Sequence, residues 1–526
     1  MAPPARGGLN AAARVAAPLA AEQPAEQAGP PGRREVRVVI AGLMLALLLA
    51  ALDQNIVATA LPRIVSDLGG LSHLSWVVTG FALASTASTP LYGKLSDLHG
   101  RKPAFLVSIS VFLAGSALCG LARSMTALIA FRAVQGLGAG GLFTLAQTTV
   151  GDLVSPRERG RYQGLFAGMF AIGSVAGPLL GGFITDAFSW PWIFYVNLPV
   201  GGAALAMIGF GLRRRPPPAA RRIDAGGSLL LIAATTCVLL ATSWGGVLYA
   251  WTSPVILGLA LAACAAGLAL AVLEHHVPDP VLPPRLFHDR VFLLSVAVMS
   301  LTAMALFGAL VFLPLFFQLV LGTSASMAGI RMTPVMGGVI VASVLGGRLV
   351  SKTGRYKPPP VLGLLVATLC FLALARTTMT GATPGAGGGW IEPVLALLGL
   401  GIGLVMPNLT TAIQNGVPRA DLGAATSAAV FFRSLGGAFG AAVSGAILNT
   451  RLTALLPTGL RQAQGHSILD SGLTALATLP PTEHALLLSA YARALSATFL
   501  VGAAVAGLAL LCALCIPERP LRGADG

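Results

Sequence analysis

Two charged side chains that could exchange a proton stand deep within apolar segments of this 526-residue sequence. Asp53 lies about nine residues before Pro62, and Arg132 lies about five residues inside the end of a later segment. If both segments are helices, a rise of 1.5 Å per residue places the two side chains within about 6 Å of the same depth. Desolvation favours the neutral acid and a nearby arginine favours the carboxylate, so Asp53 could bind and release a proton as its surroundings change. The alternative is a permanent ion pair that joins two helices.

A third buried charge, Arg433, has no evident acidic partner in the sequence. It either lines a cavity or donates hydrogen bonds to backbone carbonyls, and the sequence leaves both possibilities open. Glu274 and Glu392 fall at segment ends, where solvated carboxylates are ordinary. The adjacent His275 and His276 also lie at a segment end, which is typical of a membrane interface, so no metal site is predicted.

A dense group of charges, "GKLSDLHGRK" at residues 93–102, separates two apolar segments. Gly93 and Gly100 permit a tight turn and the close approach of a neighbouring helix. Asp97 could face the positive N-terminus of a helix from another part of the chain, and Arg101 could pair with it. The alternative is that these charges only orient the protein in a membrane.

The elements that carry these residues are predicted from hydropathy. The chain is 55% hydrophobic with a mean hydropathy of +0.80, and about fourteen apolar runs have the roughly 20 residues that cross a bilayer as a helix. Helices are required because lipid cannot satisfy an open backbone. The sequence therefore predicts an all-α integral membrane protein that is embedded in the lipid bilayer.

The net charge of +15 is distributed by loop rather than gathered in one patch. If both termini are cytoplasmic, most of the 34 lysines and arginines fall in cytoplasmic loops, which is the usual orientation signal of membrane proteins. This distribution argues against nucleic-acid binding. The short tails and the lack of polar catalytic clusters argue against a membrane-embedded enzyme or a sensor.

The chain also repeats itself. "GLGAG" at 136–140 recurs as "GLGIG" 263 residues later, and Gly160 recurs at the same offset as Gly423. Gly93 recurs 254 residues later as Gly347, with Ser351 in the place of Asp97. We therefore expect two pseudo-symmetric six-helix bundles with two inserted helices between them, an architecture that supports alternating access.

The expected boundaries follow from these runs. Residues 1–37 form a disordered cytoplasmic tail, 38–212 the N-terminal bundle, and 213–291 a basic linker with the two extra helices and a following loop. Residues 292–516 form the C-terminal bundle, with a large external loop at 450–487, and 517–526 a cytoplasmic tail. No phosphate-binding loop is present, so ATP is not the expected energy source, and no cofactor is predicted.

Five motifs in order along the chain resemble signatures of the major facilitator superfamily, specifically its fourteen-helix drug:proton antiporter branch. They are "LDQNIVATALP" (52–62), "GKLSDLHGRK" (93–102), "FRAVQGLGAGG" (131–141), "GSVAGPLLGG" (173–182) and "WPWIFYVNLPVG" (190–201). The chain departs from the family pattern at Asn55, where threonine is usual, and at Pro191, where a basic residue is usual.

The resemblance implies roles for residues in these motifs. Asp53 would carry the proton, with Arg132 and Gln135 as its modulators. Gly93, Asp97, Gly100 and Arg101 would latch the cytoplasmic face. Gly173, Gly177, Pro178, Gly181 and Gly182 would form a bent helix that packs tightly against a partner from the other half and prevents leak, with a plain structural kink as the alternative.

The function that the resemblance implies is export of amphipathic drugs or antibiotics across the plasma membrane in exchange for protons, by a monomer. The alternative is export of one endogenous metabolite, such as a self-made antibiotic, siderophore or lipid. Helix position and the mixture of aromatic and amide groups suggest a set of cavity residues. These are Gln54, Asn55, Phe316, Phe317, Gln318, Asn408, Phe431, Phe432 and Arg433.

Overall fold

The computed structural model describes residues 33–69, 73–213, 224–246, 248–379, 390–456 and 481–521. The first half contains α1 (Arg33–Leu68), α2 (Leu74–His99), α3 (Arg101–Gly120), α4 (Met125–Leu153), α5 (Pro156–Ala187), α6 (Trp192–Tyr195) and α7 (Asn197–Gly211). The inserted part contains α8 (Ala225–Trp244), α9 (Pro254–His276) and α10 (Pro284–His288). The second half contains α11 (Arg290–Leu310), α12 (Leu313–Leu319), α13 (Ala325–Thr353), α14 (Pro358–Met379), α15 (Ile391–Gly416), α16 (Leu422–Leu455) and α17 (Pro481–Leu514).

The predicted all-α membrane fold is confirmed. In the described ranges, 13 helices are long and apolar enough to cross a membrane. Helix α2 has a comparable length of 26 residues but a more polar sequence, and it brings the number of spans to the expected fourteen. The short helix α6 continues into α7, and the short helix α12 extends α11. Neither short helix forms a span alone.

Several boundaries differ from those expected. Helix α1 begins at Arg33 rather than near 38, so its first turns carry basic residues. Helix α16 ends at Leu455 and α17 begins at Pro481, which makes the segment between them shorter at both ends than the loop expected at 450–487. The tail at 1–32, most of the basic linker, the glycine-rich stretch at 380–389 and residues 457–480 lie outside the described residues.

The two halves meet at two crossings that the repeat relates to each other. At the first, a Cβ placed on Gly93 of α2 would lie only 2.6 Å from the carbonyl oxygen of Gly423 on α16. At the second, a Cβ on Gly160 of α5 would lie 2.5 Å from the Cα of Gly347 on α13. The glycines that correspond in sequence therefore occupy corresponding positions, which follows from packing two copies of one bundle face to face.

Both crossings lie at the end of the bundle that carries the turns at 99–101 and 353–358, which we call the basic end. The C-terminal segment also returns to this end, where Tyr356 donates a hydrogen bond to the carbonyl of Pro517. Further along α5 from the basic end, this close packing between the halves ends. Gly164 still packs on Val344, but a Cβ on Gly168, one turn further along α5, would meet nothing within 4 Å.

The inserted helices are attached to the first half along α2. At one end, Trp76 of α2 and Trp244 of α8 pack edge to face with ring centroids 5.6 Å apart. At the basic end, the Lys94 ammonium lies 3.9 Å from the Asp279 carboxylate in the segment after α9. Helix α8 therefore lies along the crossing between α2 and α16 and contacts both helices.

Candidate functional site

Asp53 is held by three side chains from two other helices. Oδ2 of Asp53 accepts a hydrogen bond from Nη1 of Arg132 at 2.6 Å, and Oδ1 accepts one from Nε2 of Gln135 at 2.8 Å, both from α4. Asn197 of α7 donates to Oδ1 at 3.0 Å. The side chains of Asp53 and Arg132 are 0% and 2% exposed, so the ion pair is almost completely dehydrated. The structure thus brings together the three residues singled out for proton coupling and adds a fourth.

The network continues into α3 and α2. Ser116 of α3 accepts hydrogen bonds from Gln135 at 3.1 Å and from Asn197 at 2.9 Å, and it donates to the carbonyl of Phe194. The guanidinium carbon of Arg132 lies 4.0 Å from the centroid of the Phe81 ring on α2. These contacts fix the arginine on several sides, as a buried charge requires.

Sequence reasoning missed Asn197 and Ser116. Asn197 lies in "VNLPVG", inside a motif that was already singled out for its resemblance, so a signal for it was present. Its position follows from the break between α6 and α7, because it is the first residue of the new helix and its amide can turn inward. Ser116 carries no comparable signal, since a single serine in an apolar helix is common.

The geometry constrains what this site can do. A fully dehydrated carboxylate with three donors is stable as an anion only while Arg132 stays beside it. Protonation would remove the charge that holds the arginine, and separation of the ion pair would leave two unpaired charges in an apolar environment. The arrangement can therefore serve as a proton site only if a conformational change opens it, and otherwise it remains a fixed link between α1 and α4.

At the basic end, Asp97 reaches from the first half to the start of α16 in the second. Its Oδ1 accepts a hydrogen bond from the backbone N–H of Gly423 at 3.0 Å, and its Oδ2 accepts one from that of Ala424 at 2.8 Å. These are unpaired donors of the first turn of a helix, so the contact joins a carboxylate to the positive end of a helix dipole. Asp97 thereby connects the two halves directly.

Arg101 holds Asp97 in this position. Its Nη1 donates to Oδ1 of Asp97, and its Nε donates to Oδ2 of Asp152 on α4 at 2.7 Å. Gly100 connects α2 to α3 with a φ of +90°, a backbone conformation that disfavours side chains with a Cβ. The four residues of the expected latch therefore occupy one contact, with Asp152 as an additional member.

The copy of this loop makes a different contact. Gly347 packs against Gly160 through backbone atoms alone, and Ser351, in the place of Asp97, donates a hydrogen bond to the Gly347 carbonyl in its own helix at 2.9 Å. Gly354 has a φ of +71°, like its counterpart a left-handed turn residue. The second crossing thus retains the close helix approach of the first but carries no carboxylate at this position.

The expectation for the glycines of α5 is wrong in its packing partner. A Cβ on Gly173 would lie 2.5 Å from Cβ of Ala51, and one on Gly177 would lie 2.8 Å from Cβ of Asn55, both on α1 of the same half. Gly181 continues this row against α1, whereas Gly182 would meet nothing within 4 Å. A spacing of four residues keeps one face of α5 on α1, and the contact with the other half is made earlier, by Gly160 and Gly164. Helix α5 continues through Pro178.

Several residues expected in the cavity lie in the packed core of the second half. Phe316 and Phe317 are 1% and 0% exposed, and Phe431 is 4% exposed. These rings pack in hydrophobic clusters of the second half because aromatic residues next to aliphatic neighbours gain more from burial than from facing a polar cavity. Asn408 is also buried, with its amide donating to the Leu404 carbonyl in its own helix.

Other members of that set are placed elsewhere. Phe432 packs edge to face on Phe287 of α10, with ring centroids 6.0 Å apart. Gln318 donates to the carbonyl of Pro314 in α12. Asn55 donates to the Ala51 carbonyl and packs on α5, whereas the neighbouring Gln54 is exposed.

Arg433 differs from all of these because it reaches toward the first half. Its guanidinium carbon lies 4.7 Å from the centroid of the Phe143 ring on α4. One turn or so closer to the basic end, Gln414 of α15 donates a hydrogen bond to the Gln147 carbonyl on α4 and closes the gap between the halves. Arg433 therefore lies just beyond this contact, still at the interface between the halves.

A protein of two pseudo-symmetric helical bundles, closed at one end and carrying a buried ion pair, is by architecture a secondary transporter. The model of the Major Facilitator Superfamily matches residues 43–441, and the chain belongs to this family. It is 41% identical to the multidrug transporter protein MdtP of Bacillus subtilis, over 80% of this chain and 76% of that protein. It is 32% identical to the acurin A biosynthesis cluster MFS-type transporter of Aspergillus aculeatus, over 85% of this chain and 81% of that protein.

Solved structures show the same fold. The human organic anion transporter MFSD10 (TETRAN) superposes with a TM-score of 0.62 at 17% identity, over 91% of this chain and 99% of that chain. The identity is too low for this likeness to carry more than the fold. The family and the relatives above show that the chain is a multi-pass membrane transporter of small substrates and not an enzyme.

Proposed function

We propose that this transporter exports amphipathic drugs or antibiotics from the cytoplasm in exchange for protons. The observation that supports it best is the network around Asp53. Within the described spans, Asp53 is the only carboxylate far from a helix end, and a charge at such a position commonly marks an ion or proton pathway. The similarity to a multidrug transporter supports the choice of amphipathic substrates.

The network offers a physical route from the proton to the latch. Helix α4 carries Arg132 near one end and Asp152 near the other, about 30 Å apart at 1.5 Å per residue. Arg132 pairs with Asp53, while Asp152 pairs with Arg101, which holds Asp97 against α16. A small shift of α4 when the Asp53–Arg132 pair separates would therefore act on the latch, because one rigid helix is common to both sites.

The energetics are adequate for transport against a gradient. One proton moving through 100 mV releases about 2.3 kcal/mol. That free energy supports a roughly fifty-fold gradient of a neutral substrate. The structure represents one side of the cycle, closed at the basic end. We place this end and both termini in the cytoplasm of a cell bounded by its plasma membrane, because the basic loops favour that orientation.

The test is transport in inside-out membrane vesicles across a panel of amphipathic compounds, with and without an imposed pH gradient. We expect uptake of several compounds that rises with an acidic interior and collapses when an uncoupler dissipates the gradient. Uptake of every compound that is indifferent to the pH gradient would contradict proton exchange.

A second candidate is a dedicated exporter of one endogenous metabolite. Its support is the similarity to a transporter from a biosynthesis cluster. The same panel separates the two functions, since a dedicated exporter would transport one chemical scaffold and ignore unrelated amphipathic compounds.

A further inference from the structure

Arg433 is a buried charge that the proton site and the latch leave unused. It lies about 17 Å along α16 from the start of that helix at Leu422, which is roughly the middle of a 30 Å hydrocarbon core. A charged residue at this depth normally faces a partner or a water-filled cavity. Its surroundings therefore bear on what the transporter binds.

Two other arginines within the described spans have carboxylate partners. Arg132 pairs with Asp53 at 2.6 Å, and Arg331 of α13 lies 3.5 Å from Glu392 of α15. For Arg433, the structure records only the contact with the Phe143 ring, and among the described residues no carboxylate lies within ion-pair distance of it. An aromatic ring attracts the positive charge but provides no oxygen acceptor for the five N–H donors of a guanidinium.

Arg433 lies at the interface between the halves, where it contacts Phe143 of α4. It is partly exposed, although its neighbour Phe431 on the same helix is 4% exposed. The hydrogen bond between Gln414 and Gln147 closes the halves on the side toward the basic end. At the other crossing, the close packing of α5 on α13 ends at a similar depth, because a Cβ on Gly168 would meet nothing within 4 Å. In a transporter of two bundles the substrate cleft lies between the halves near the midplane, and the Arg433 guanidinium lies at that depth, against Phe143 of the other half.

We infer that this cleft binds amphipathic molecules through an anionic group and that Arg433 is the residue that binds it. With Asp53 neutralised by Arg132, the deep charges of the described spans leave one uncompensated positive charge, and a carboxylate or sulfonate would balance it. A planar guanidinium forms paired hydrogen bonds with such groups, and the Phe143 ring offers an apolar surface beside them. A cationic amphipathic compound would meet repulsion at the same place.

The inference rests on the proposed function for the location of the site, but its test does not require proton coupling. Two fluorescent probes form a matched pair: 1-anilinonaphthalene-8-sulfonate is anionic, and N-phenyl-1-naphthylamine has the same rings without the sulfonate. Binding is measured with the full chain in phosphatidylcholine nanodiscs, without a pH gradient and with the signal of empty nanodiscs subtracted. The variants are Arg433→Gln, Arg433→Lys and, as a charge-matched control at an exposed position of α1, Arg37→Gln.

We expect the unmodified protein to bind the sulfonate probe at least tenfold more tightly than the neutral probe, a difference of about 1.4 kcal/mol. Arg433→Gln should weaken sulfonate binding at least tenfold and leave neutral binding within about twofold. Arg433→Lys should retain part of the preference, and Arg37→Gln should change neither affinity. The inference is overturned if the unmodified protein shows no preference, or if Arg433→Gln weakens both probes equally, as the loss of a purely structural contact would.

The outcome is also separable from the proposed function. If the anionic probe binds through Arg433 but no compound responds to a pH gradient in vesicles, proton exchange fails while the substrate class stands. If transport is proton-driven but the probe preference is absent, the substrate class fails alone.

Discussion

The contact of Asp97 with α16 makes a quantitative prediction for Asp97→Asn. The carboxylate accepts hydrogen bonds from two backbone N–H groups of the other half, at 3.0 and 2.8 Å, and pairs with Arg101. Asparagine retains one oxygen acceptor, so the substitution removes one of the two interhalf hydrogen bonds and the negative charge at the helix N-terminus. A charge at this position contributes about 0.3–2 kcal/mol, and a hydrogen bond to a charged group about 1.5–3 kcal/mol.

Since asparagine preserves part of the contact, we expect a net loss of about 1–2 kcal/mol in the state closed at the basic end, or a roughly 5- to 30-fold shift in population. Double electron–electron resonance measures this shift with spin labels at Glu158 on α5 and Thr353 on α13, both exposed at the basic end. The distance distribution should move toward longer values, while protein level and membrane insertion stay normal. The matched control is Ser351→Ala, the corresponding position of the copy, which has no charge to lose. An unchanged distribution for Asp97→Asn, or an equal shift for Ser351→Ala, would refute the latch.

Three further predictions concern helix packing, the proton site and the orientation of the chain in the membrane. Gly160→Ala should impair closure and transport, because a Cβ there would overlap the Gly347 backbone, whereas Gly168→Ala, with empty space around it, should retain transport in the same vesicle assay. Asn197→Ala should lower the thermal unfolding midpoint and slow proton-driven efflux, because Asp53 loses one of its three hydrogen-bond donors. If the midpoint and the efflux rate are both unaltered, Asn197 has no role in the site. For orientation, a cysteine at Arg123 should react with a membrane-impermeant thiol reagent on intact cells and a cysteine at Thr353 should not, and labelling of both from outside would overturn the assigned topology.

The parts of the fold that follow from hydropathy and repeats were predictable from sequence. Apolar runs give the spans because bilayer thickness fixes their length, and the offsets between glycines place equivalent crossings in the two halves. The pairing of Gly93 with Gly423 and of Gly160 with Gly347 could not be read in the same way. Sequence offsets relate equivalent positions to each other, whereas contacts join non-equivalent ones.

The candidate site was predictable where charge is scarce. Asp53 and Arg132 stood out because few charges occur in apolar helices, and their pairing needed only matching depth. Prediction failed for side chains whose placement depends on helix rotation. Phe316 and Phe317 turn into the core of the second half, and the glycines of α5 face α1, because the angle at which a helix presents each face is set by its neighbours.

The most direct test of proton-coupled export is Asp53→Asn in proteoliposomes. The asparagine mimics the protonated acid and cannot hold the Arg132 charge, so gradient-driven transport should be abolished. Exchange of labelled for unlabelled substrate across the same membrane should persist, because it requires alternating access but no net proton movement. Persistent exchange would show that the variant is folded. Transport driven by the pH gradient at the rate of the unmodified protein would contradict the account and place the proton site elsewhere.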